Sequence, residues 1–398
     1  MRKKKILMVH NFYQLAGGED TVFKSEAEML RENGHEVIEY TRRNDELKNS
    51  KLKLLLLPFT ATWSFKTFRD VKKIIKSQSI DIVHCHNTFP LISPSVYYAA
   101  RSQKVPVIQT IHNFRFLCPA GVLYRDGSIC EECMRKASFK PALKHNCYRN
   151  SRIQTLTVTT MLSIHRRLGT YKKINYIFLT EFNKQKFEQL IDIHAENVFV
   201  KPNFAKALPK AETNTSLNGA RKLSGNKLFV FYGRLEKNKG ILSLLEMWKK
   251  LPKDYILHIY GTGSCSSDAK QAAAQFSNIT FYGFMPRQVI FRDILQSTAV
   301  LIMSEWYEGF IMSIPESFSL AAPVVCTDLG NLKSIIEESN AGVTYKMNHF
   351  DSFYAALNQV INNNAVYSAN ALLYFEQKLS DKINYKLLCD IYEKAKVI

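Results

Sequence analysis

Two glutamates, Glu308 and Glu316, stand eight positions apart in the segment SEWYEGFIMSIPES, directly after an apolar stretch. A carboxylate accepts hydrogen bonds from a pair of hydroxyls, so two carboxylates at this spacing suit two polyol groups. If a helix begins near Phe310, its rise of about 1.5 Å per residue separates the two positions by roughly 12 Å, and its first N–H groups form an anion site. A solvated glutamate pair on a surface helix has the same spacing, so this pattern alone is weak.

The loop Gly233–Gly240 (GRLEKNKG) adds positive charge after another apolar stretch. Arg234 can bind a phosphate bidentately and Lys239 acts as a point charge, so the pair suits a diphosphate. Gly261 and Gly263 follow the next apolar stretch in YGTG. They permit either a nucleotide close to the backbone amides or simply a tight turn.

In the first half of the chain, His112 ends the apolar stretch VPVIQTIH, where a histidine is either structural or part of a site. His84 and His86 alternate in DIVHCH and therefore share one face of a strand. There they either line a site or pack in the core. Asn87 follows them in the next loop.

Short apolar stretches alternate with helical patterns along the chain, as in doubly wound parallel sheets. We predict strands at 6–10, 35–40, 81–86, 105–112, 176–180 and 197–201, and again at 227–232, 255–260, 279–282, 299–303 and 323–326. Helices are predicted at 21–33 and 242–251, and a helical region at 351–398. The predicted fold is α/β, with two Rossmann-like domains that face a central cleft.

A polar stretch at 205–226 is the predicted linker. We predict an N-terminal domain, a C-terminal domain and a final helix that packs back on the first domain, at 1–203, 204–375 and 376–398. Open parallel sheets bind ligands beyond the carboxyl ends of their strands. The candidate residues follow predicted strands, so they fall where a ligand site is expected.

Four cysteines form a spaced set within an insert at 118–147: Cys118, Cys130, Cys133 and Cys147. Four thiolates suffice for a tetrahedral structural zinc ion. The polar and basic insert has few residues with which to build its own core, so a bound metal ion would help to stabilise its fold. Unpaired thiols and reversible disulfides are the alternatives.

The formal net charge of +19 is unevenly placed, since residues 1–200 carry 32 Lys and Arg against 18 Asp and Glu. The stretch 48–76 interleaves these cations with Leu, Trp and Phe, which suits an interfacial segment on an anionic bilayer. A solvated helix with its apolar face in the core, or a soluble polyanionic acceptor, would explain the same composition. No stretch reaches the roughly 18–20 apolar residues of a membrane span, and the N-terminus does not resemble a secretory signal. We expect a cytoplasmic protein, peripheral on the inner face of the cell membrane.

In combination and order, these motifs resemble the retaining glycosyltransferases of family four, which have the glycosyltransferase B fold. The matching segments cover nearly the whole chain: GGED (17–20), DIVHCHNTFP (81–90), TIHNFRFLCP (110–119), TEFNKQKF (180–187), KPNF (201–204), GRLEKNKG (233–240), IYGTGS (259–264), FYGF (281–284) and SEWYEGFIMSIPES (304–317). Two positions depart from the family pattern. Ala321 stands where the family has glycine, and Asn331 follows Gly330 where a second glycine is frequent.

The resemblance implies that the domain at 1–203 binds the acceptor and that the domain at 204–375 holds a site for a nucleoside-diphosphate sugar. Arg234 and Lys239 would grip the diphosphate, Glu316 the ribose hydroxyls and Glu308 the donor-sugar hydroxyls. The full implied donor set is Gly17, Gly18, Arg234, Lys239, Gly261, Gly263, Glu308, Gly309, Phe310, Ile311 and Glu316. The implied catalytic set is His112, Glu308, Arg234 and Lys239, and the acceptor side holds His86, Asn87 and Asn113.

The implied activity is retaining transfer of a sugar from a UDP- or GDP-sugar to a lipid-linked surface-glycan acceptor, as in capsule or lipopolysaccharide synthesis. Fixed cations at the leaving group can replace a metal ion, and the sequence has no Asp-x-Asp pair, so we expect catalysis without a cofactor. Two alternatives are a basic protein that binds nucleic acid and the same fold with nucleotide-sugar epimerase chemistry. The missing RNA-binding motif disfavours the first. The GRLEKNKG loop together with the glutamate pair disfavours the second.

Overall fold

The computed structural model describes residues 2–14, 17–47, 51–207 and 227–398, without the side chains of residues 51, 53 and 54. Most of the predicted linker, at 208–226, therefore lies outside the described residues, as does Lys48. The chain forms two compact units: the first comprises Met1–Arg125, Cys130–Pro202 and Asn384–Ile398, and the second comprises Asp126–Ile129 and Asn203–Ile383. The predicted final helix at 376–398 is thus divided, because only its residues from Asn384 onward belong to the first unit.

The first unit is built on a parallel sheet. Its described strands are β1 (Lys5–Phe12), β2 (Glu36–Arg43), β3 (Ile82–Asn87), β4 (Val107–Ile111), β7 (Asn175–Phe178) and β8 (Val198–Val200), in the order β2-β1-β3-β4-β7-β8. Two short strands, β5 (Tyr124–Arg125) and β6 (Ser128–Ile129), lie in the cysteine-rich insert. Because the strand order reverses between β1 and β3, the loops that follow these two strands border a crevice.

The helices of the first unit include a long one directly after β1. They are α1 (Gly18–Glu32), α2 (Lys51–Thr62), α3 (Phe65–Gln78), α4 (Ser95–Ser102), α5 (Glu132–Arg135), α6 (Lys140–Lys144), α7 (Arg152–Arg167) and α8 (Glu181–Glu188). Every residue of β3 and β4 is buried, as expected for central parallel strands covered on both faces. The polar side chains on these two strands therefore need partners inside the protein.

The second unit repeats this architecture. Its strands are β9 (Lys227–Tyr232), β10 (Tyr255–Tyr260), β11 (Ile279–Gly283), β12 (Ala299–Ile302), β13 (Val324–Thr327) and β14 (Gly342–Tyr345), in the order β11-β10-β9-β12-β13-β14. Its helices are α9 (Ile241–Trp248), α10 (Ser266–Gln275), α11 (Arg287–Gln296), α12 (Ser313–Ser319), α13 (Gly330–Ser339), α14 (Phe350–Asn362) and α15 (Asn364–Tyr374). The order reverses between β9 and β12, so the loops after these strands meet.

The final helix, α16 (Asp381–Lys394), joins the first unit through its later residues, and the Tyr392 hydroxyl lies 2.8 Å from Nδ1 of His84 on β3. The predicted α/β class with two doubly wound sheets is confirmed. Two local predictions are wrong: β14 was missed, and the helix expected near Phe310 begins at Ser313. Among the described residues, none of the helices combines the length and the apolar character that crossing a membrane requires.

Candidate active site

The loop after β9 in the second unit is shaped by a close backbone approach at Gly240. This residue has φ +73°, and a Cβ atom there would lie 1.9 Å from the carbonyl oxygen of Met303, which follows β12. The Asn238 carbonyl also accepts a hydrogen bond of 3.0 Å from the amide of Glu305. A glycine is therefore required, and it holds Lys239 against the segment that carries Glu308.

Three donors converge on one oxygen of Glu308. Lys239 Nζ, Trp306 Nε1 and Ser304 Oγ each lie 2.6 Å from Glu308 Oε1. The carboxylate is 7% exposed, so this charge-assisted set fixes its orientation firmly. The other oxygen, Oε2, is left for a ligand, since it accepts no hydrogen bond from the described residues.

Asn331, one of the two departures from the family pattern, supports the same segment. Its buried Nδ2 donates 2.9 Å hydrogen bonds to the carbonyls of Glu308 and Gly309. A glycine at this position would lack that amide. The substitution therefore ties α13 to the backbone that carries the candidate carboxylate.

Ala321, the other departure, has φ +53°. A left-handed conformation costs a residue with a Cβ atom roughly 1–2 kcal/mol, whereas glycine adopts it freely. The backbone after α12 therefore has the shape that a glycine would favour, and alanine adopts it at a cost in stability.

Glu316 lies in the first turn of α12, because this helix begins at Ser313 and not near Phe310 as predicted. The Tyr232 hydroxyl at the end of β9 donates a 3.0 Å hydrogen bond to Glu316 Oε2. Arg287 Nη2 lies 2.6 Å from Oε1. Burial raises the pKa of Glu316, and the Arg287 charge opposes this shift.

Arg234 is exposed in the loop after β9 and makes no ion pair with another residue in the part of the chain that the structure describes. Its guanidinium is thus available to an anion. The amide of Gly261 donates to the Gly283 carbonyl at 2.7 Å, and that of Gly263 to Ser266 Oγ at 2.9 Å.

Cβ atoms at these two glycines would lie within 2.4 Å of backbone carbonyl oxygens, so close packing explains both. Their role in donor binding stays a prediction. Phe310 and Ile311 precede α12 and pack partly buried against the core of this unit.

In the first unit, the GGED segment begins α1. Asp20 Oδ2 accepts a 3.0 Å hydrogen bond from the Gly17 amide, while Asp20 Oδ1 lies 2.7 Å from His10 Nε2. A Cβ atom at Gly18 would meet nothing within 4 Å. Packing therefore does not explain this glycine, which leaves close approach of a ligand as its predicted reason.

His112 follows β4 and lines a cavity of the first unit together with Asn113, Thr88, Arg115 and Tyr97. Asn113 Nδ2 also donates a 3.2 Å hydrogen bond to Glu19 Oε2 in the first turn of α1. Burial holds the pKa of His112 well below its usual range, so the ring is neutral. The structure thus brings four of the predicted residues to one cavity: His86, Asn87, His112 and Asn113.

His86 and Asn87 line the same cavity, and a contact of either residue with the acceptor stays a prediction. The His86 side chain is fully buried, with Nδ1 2.9 Å from His112 Nε2 and Nε2 3.3 Å from Glu26 Oε1. Asn87 is 7% exposed, and its amide bridges the Asn11 carbonyl and the Phe89 amide. Both side chains therefore have partners within the fold as well as a place in the lining of the cavity.

The four cysteines of the insert are free, and their thiols lie near one another. Burial, together with the charges of Cys118, Cys147 and Cys130, raises the pKa of Cys133 to about 12. However, no three of these sulfurs lie within 4.8 Å of one another in the described structure. The zinc site stays a prediction, which elemental analysis of the purified protein tests.

The group with metal-compatible spacing among the described residues is a different one, formed by Glu26, His84 and His86. The buried Lys201 ammonium lies 2.9 Å from Glu26 Oε2 and already neutralises this carboxylate. A fixed cation next to the ligands opposes a second positive charge, so this cluster does not suit a metal ion.

Sequence reasoning missed several residues that hold the candidate groups in place: Glu26, Lys201, Tyr232, Arg287, Ser304 and Trp306. No regular spacing in the sequence connects them with the residues that they support. Lys201, Ser304 and Trp306 stand inside quoted motifs, KPNF and SEWYEGFIMSIPES, and only these three could have been singled out.

Two parallel sheets, each with a reversal of strand order beside its candidate residues, define a two-unit Rossmann-like protein. Two family models match the chain: Glycosyltransferase Family 4 at residues 16–151 and Glycosyl transferases group 1 at residues 226–363. The chain belongs to this family of glycosyltransferases, which confirms the resemblance seen in its motifs.

Similar proteins include a lipopolysaccharide 1,6-galactosyltransferase of Salmonella typhimurium, 26% identical over 168 residues, which are 40% of this chain and 46% of that protein. The chain spans about half the length of the first curated relatives that it matches. Sucrose-phosphate synthase of Thermosynechococcus elongatus has a TM-score of 0.68 at 14% identity, covering 98% of this chain and 99% of that one. Anabaena HepE in complex with UDP-glucose has a TM-score of 0.62 at 15% identity, covering 98% and 100%. The structural likeness establishes the glycosyltransferase B fold.

Proposed function

We propose that this protein is a retaining glycosyltransferase that moves a sugar from a nucleoside-diphosphate sugar to a surface-glycan acceptor. One observation carries the proposal: Lys239 is fixed against Glu308 at the strand-order reversal of the second unit. The exposed Arg234 follows β9 in the same loop, and the buried Glu316 lies at the start of α12. Cations for a diphosphate and carboxylates for hydroxyls thus belong to one unit.

The relatives support the substrate classes. Anabaena HepE was solved with UDP-glucose, which favours a nucleotide-sugar donor. Salmonella lipopolysaccharide 1,6-galactosyltransferase and an Escherichia coli O-antigen chain mannosyltransferase, 20% identical over 221 residues, favour a glycan of the cell surface as acceptor.

The chemistry of the proposed reaction needs charge at the leaving group. When the bond between the sugar and the diphosphate breaks, negative charge builds up on the diphosphate while the sugar becomes oxocarbenium-like. Fixed cations at Arg234 and Lys239 stabilise that charge, since preorganised groups need no rearrangement during the reaction. Glu308 Oε2 would accept hydrogen bonds from hydroxyls of the donor sugar and so orient it.

A panel of nucleotide sugars tests the function. The true donor should raise the melting temperature of the protein by mass action, whereas donors with the wrong base or sugar should not. With acceptor glycan added, NMR of the product should show the anomeric configuration of the donor. If no nucleotide sugar raises the melting temperature and oligonucleotides bind in a salt-sensitive way, the nucleic-acid alternative is favoured instead.

We further propose that the first unit docks on an anionic membrane through α2 and α7. The two helices pack together, with His165 Nε2 of α7 2.9 Å from the Thr62 carbonyl at the end of α2. Their large exposed apolar side chains are Leu52, Leu55, Leu56, Phe59, Ile153, Leu156 and Ile164, with Phe65 and Leu168 beyond their ends. The nearby cations include Arg152 and Arg167 at the two ends of α7 and, on α3, Lys66, Arg69, Lys72 and Lys73. An exposed apolar surface bordered by cations favours an anionic lipid surface.

The double variant Leu55→Glu/Phe59→Glu should lower binding to vesicles that contain phosphatidylglycerol at least tenfold, because both side chains are more than 70% exposed and would enter the bilayer interface. Cosedimentation at low and high salt measures this. Leu373→Glu is the matched control, since Leu373 is 52% exposed in the second unit. Equal binding by the double variant and the control would contradict membrane docking through this surface.

A further inference from the structure

A buried ion pair lies under the sheet of the first unit and has no part in the proposed chemistry. Lys201 Nζ lies 2.9 Å from Glu26 Oε2 on α1 and 2.9 Å from Asn384 Oδ1 on α16. Both charged side chains are at most 1% exposed. The Lys201 charge and nearby histidines hold the pKa of Glu26 well below its usual range despite its burial. Glu26 is therefore an anion, and its carboxylate can only accept hydrogen bonds.

The second carboxylate oxygen faces a histidine. Glu26 Oε1 lies 3.3 Å from His86 Nε2 and also 3.3 Å from His84 Nδ1, and neither Glu26 Oε1 nor His86 Nε2 makes a well-aligned hydrogen bond in the described structure. Burial lowers the pKa of His86, so its ring is neutral and carries one proton. A bare Nε2 would point a lone pair at a buried anion, which is costly in a low-dielectric site. The single proton of His86 therefore belongs on Nε2, and its Nδ1 is bare.

The contact between His86 and His112 then determines which ring nitrogen of His112 carries a proton. His86 Nδ1 lies 2.9 Å from His112 Nε2, and the two rings are stacked at 5.1 Å. Because His86 Nδ1 has no proton, His112 Nε2 must donate across this distance; two bare nitrogens would repel each other. His112 is neutral as well, so its Nδ1 carries no proton.

We propose that Glu26 and His86 are positioning residues that hold His112 as its Nε2–H tautomer, so that the cavity of the first unit presents a bare ring nitrogen to its ligand. A bare nitrogen accepts a hydrogen bond from a hydroxyl but repels a phosphate or carbonyl oxygen. The cavity thus selects a hydroxyl at this point. The identification of the ligand as a sugar, which supplies that hydroxyl, rests on the proposed function. The assignment of the tautomer does not rest on it.

The tautomer can be measured on the unliganded wild-type protein. The chain has ten histidines, so ¹⁵N-histidine labelling gives a tractable long-range ¹H–¹⁵N spectrum, and the pair of signals lost in His112→Gln assigns the ring. Between pH 7 and 8, His112 should show a protonated Nε2 and an unprotonated Nδ1. A proton on Nδ1, or an equal mixture of tautomers, would overturn the proposal without any variant.

Two variants test the chain of contacts. His86→Leu removes the acceptor but keeps the ion pair, so the His112 signals should move toward a mixture of tautomers. Glu26→Gln puts an amide donor opposite His86 and should reverse both tautomers, although it leaves the buried Lys201 without a counter-charge, with only Asn384 as a partner, and can unfold the protein. Glu28→Gln, on the exposed face of the same helix, is the matched control and should leave the spectrum unchanged.

The measurement of the His112 tautomer and the test of the proposed function can succeed or fail independently. If His112 has the expected tautomer but no nucleotide sugar stabilises the protein, the positioning role holds and the proposed function fails. If a nucleotide sugar binds and is turned over while folded His86→Leu leaves the His112 signals unchanged, the function stands and the positioning role is rejected.

Discussion

Replacing Lys239 with alanine should lower the rate of sugar transfer by about 10²–10³-fold, the usual cost of losing one group that stabilises developing charge. The ammonium sits 2.6 Å from Glu308 Oε1, in a loop whose path is fixed by the contact of Gly240 with Met303. Its position is thus set before a ligand binds. Trp306 and Ser304 still donate to Glu308 in the variant, so the carboxylate keeps partners and the fold should survive.

Lys237→Ala is the matched control for this prediction, because Lys237 is an exposed lysine in the same short loop. Release of nucleoside diphosphate from the donor identified in the panel measures the rate. Lys237→Ala should retain wild-type activity, and circular dichroism should show both variants folded. Activity of Lys239→Ala within about threefold of wild type would exclude the diphosphate role of this lysine.

Much of the fold was predictable because strand signals here are short, apolar and separated by helical patterns. The strands β9 and β10 occur at the predicted residues, and both follow polar segments that mark their starts. β14 was missed because GVTY is only four residues long, although Asn340 shortly before it ends α13 in a left-handed conformation. The start of α12 was misplaced because Phe310 and Ile311 are apolar residues that pack against the core without entering the helix.

The candidate site was predictable only where its residues stand in recognisable motifs. Glu308 and Lys239 are close in space as well as present in motifs, but nothing in their spacing shows that one carboxylate oxygen gathers three donors. His86 shows how far a recognised pattern can be interpreted from sequence alone. Alternation on β3 left open whether it lines a site or packs in the core, and only the fold places Glu26 and His112 at its two nitrogens. Partners that come from distant segments leave no local pattern.

Glu316→Ala should weaken nucleotide-sugar binding by about a hundredfold, since two hydrogen bonds from ribose hydroxyls to a carboxylate contribute roughly 3 kcal/mol together. The same carboxylate predicts a pH dependence. Burial raises the pKa of Glu316, and protonation removes an acceptor, so affinity should fall as the pH drops through this raised value. For an ordinary glutamate the loss would begin nearer pH 4.3.

Calorimetry with the intact nucleotide sugar measures this pH dependence. The ligand itself does not contribute to it, because the diphosphate diester of a nucleotide sugar has no proton to gain in this pH range. Glu316→Gln should abolish the pH dependence. Arg287→Ala should move it to higher pH, because the cation beside Glu316 opposes the rise of its pKa. Glu337→Ala, an exposed glutamate on α13, is the matched control and should bind as wild type does. An unchanged dissociation constant for Glu316→Ala would show that the ribose is held elsewhere, and an acid loss of affinity that persists in Glu316→Gln would assign the titration to another group.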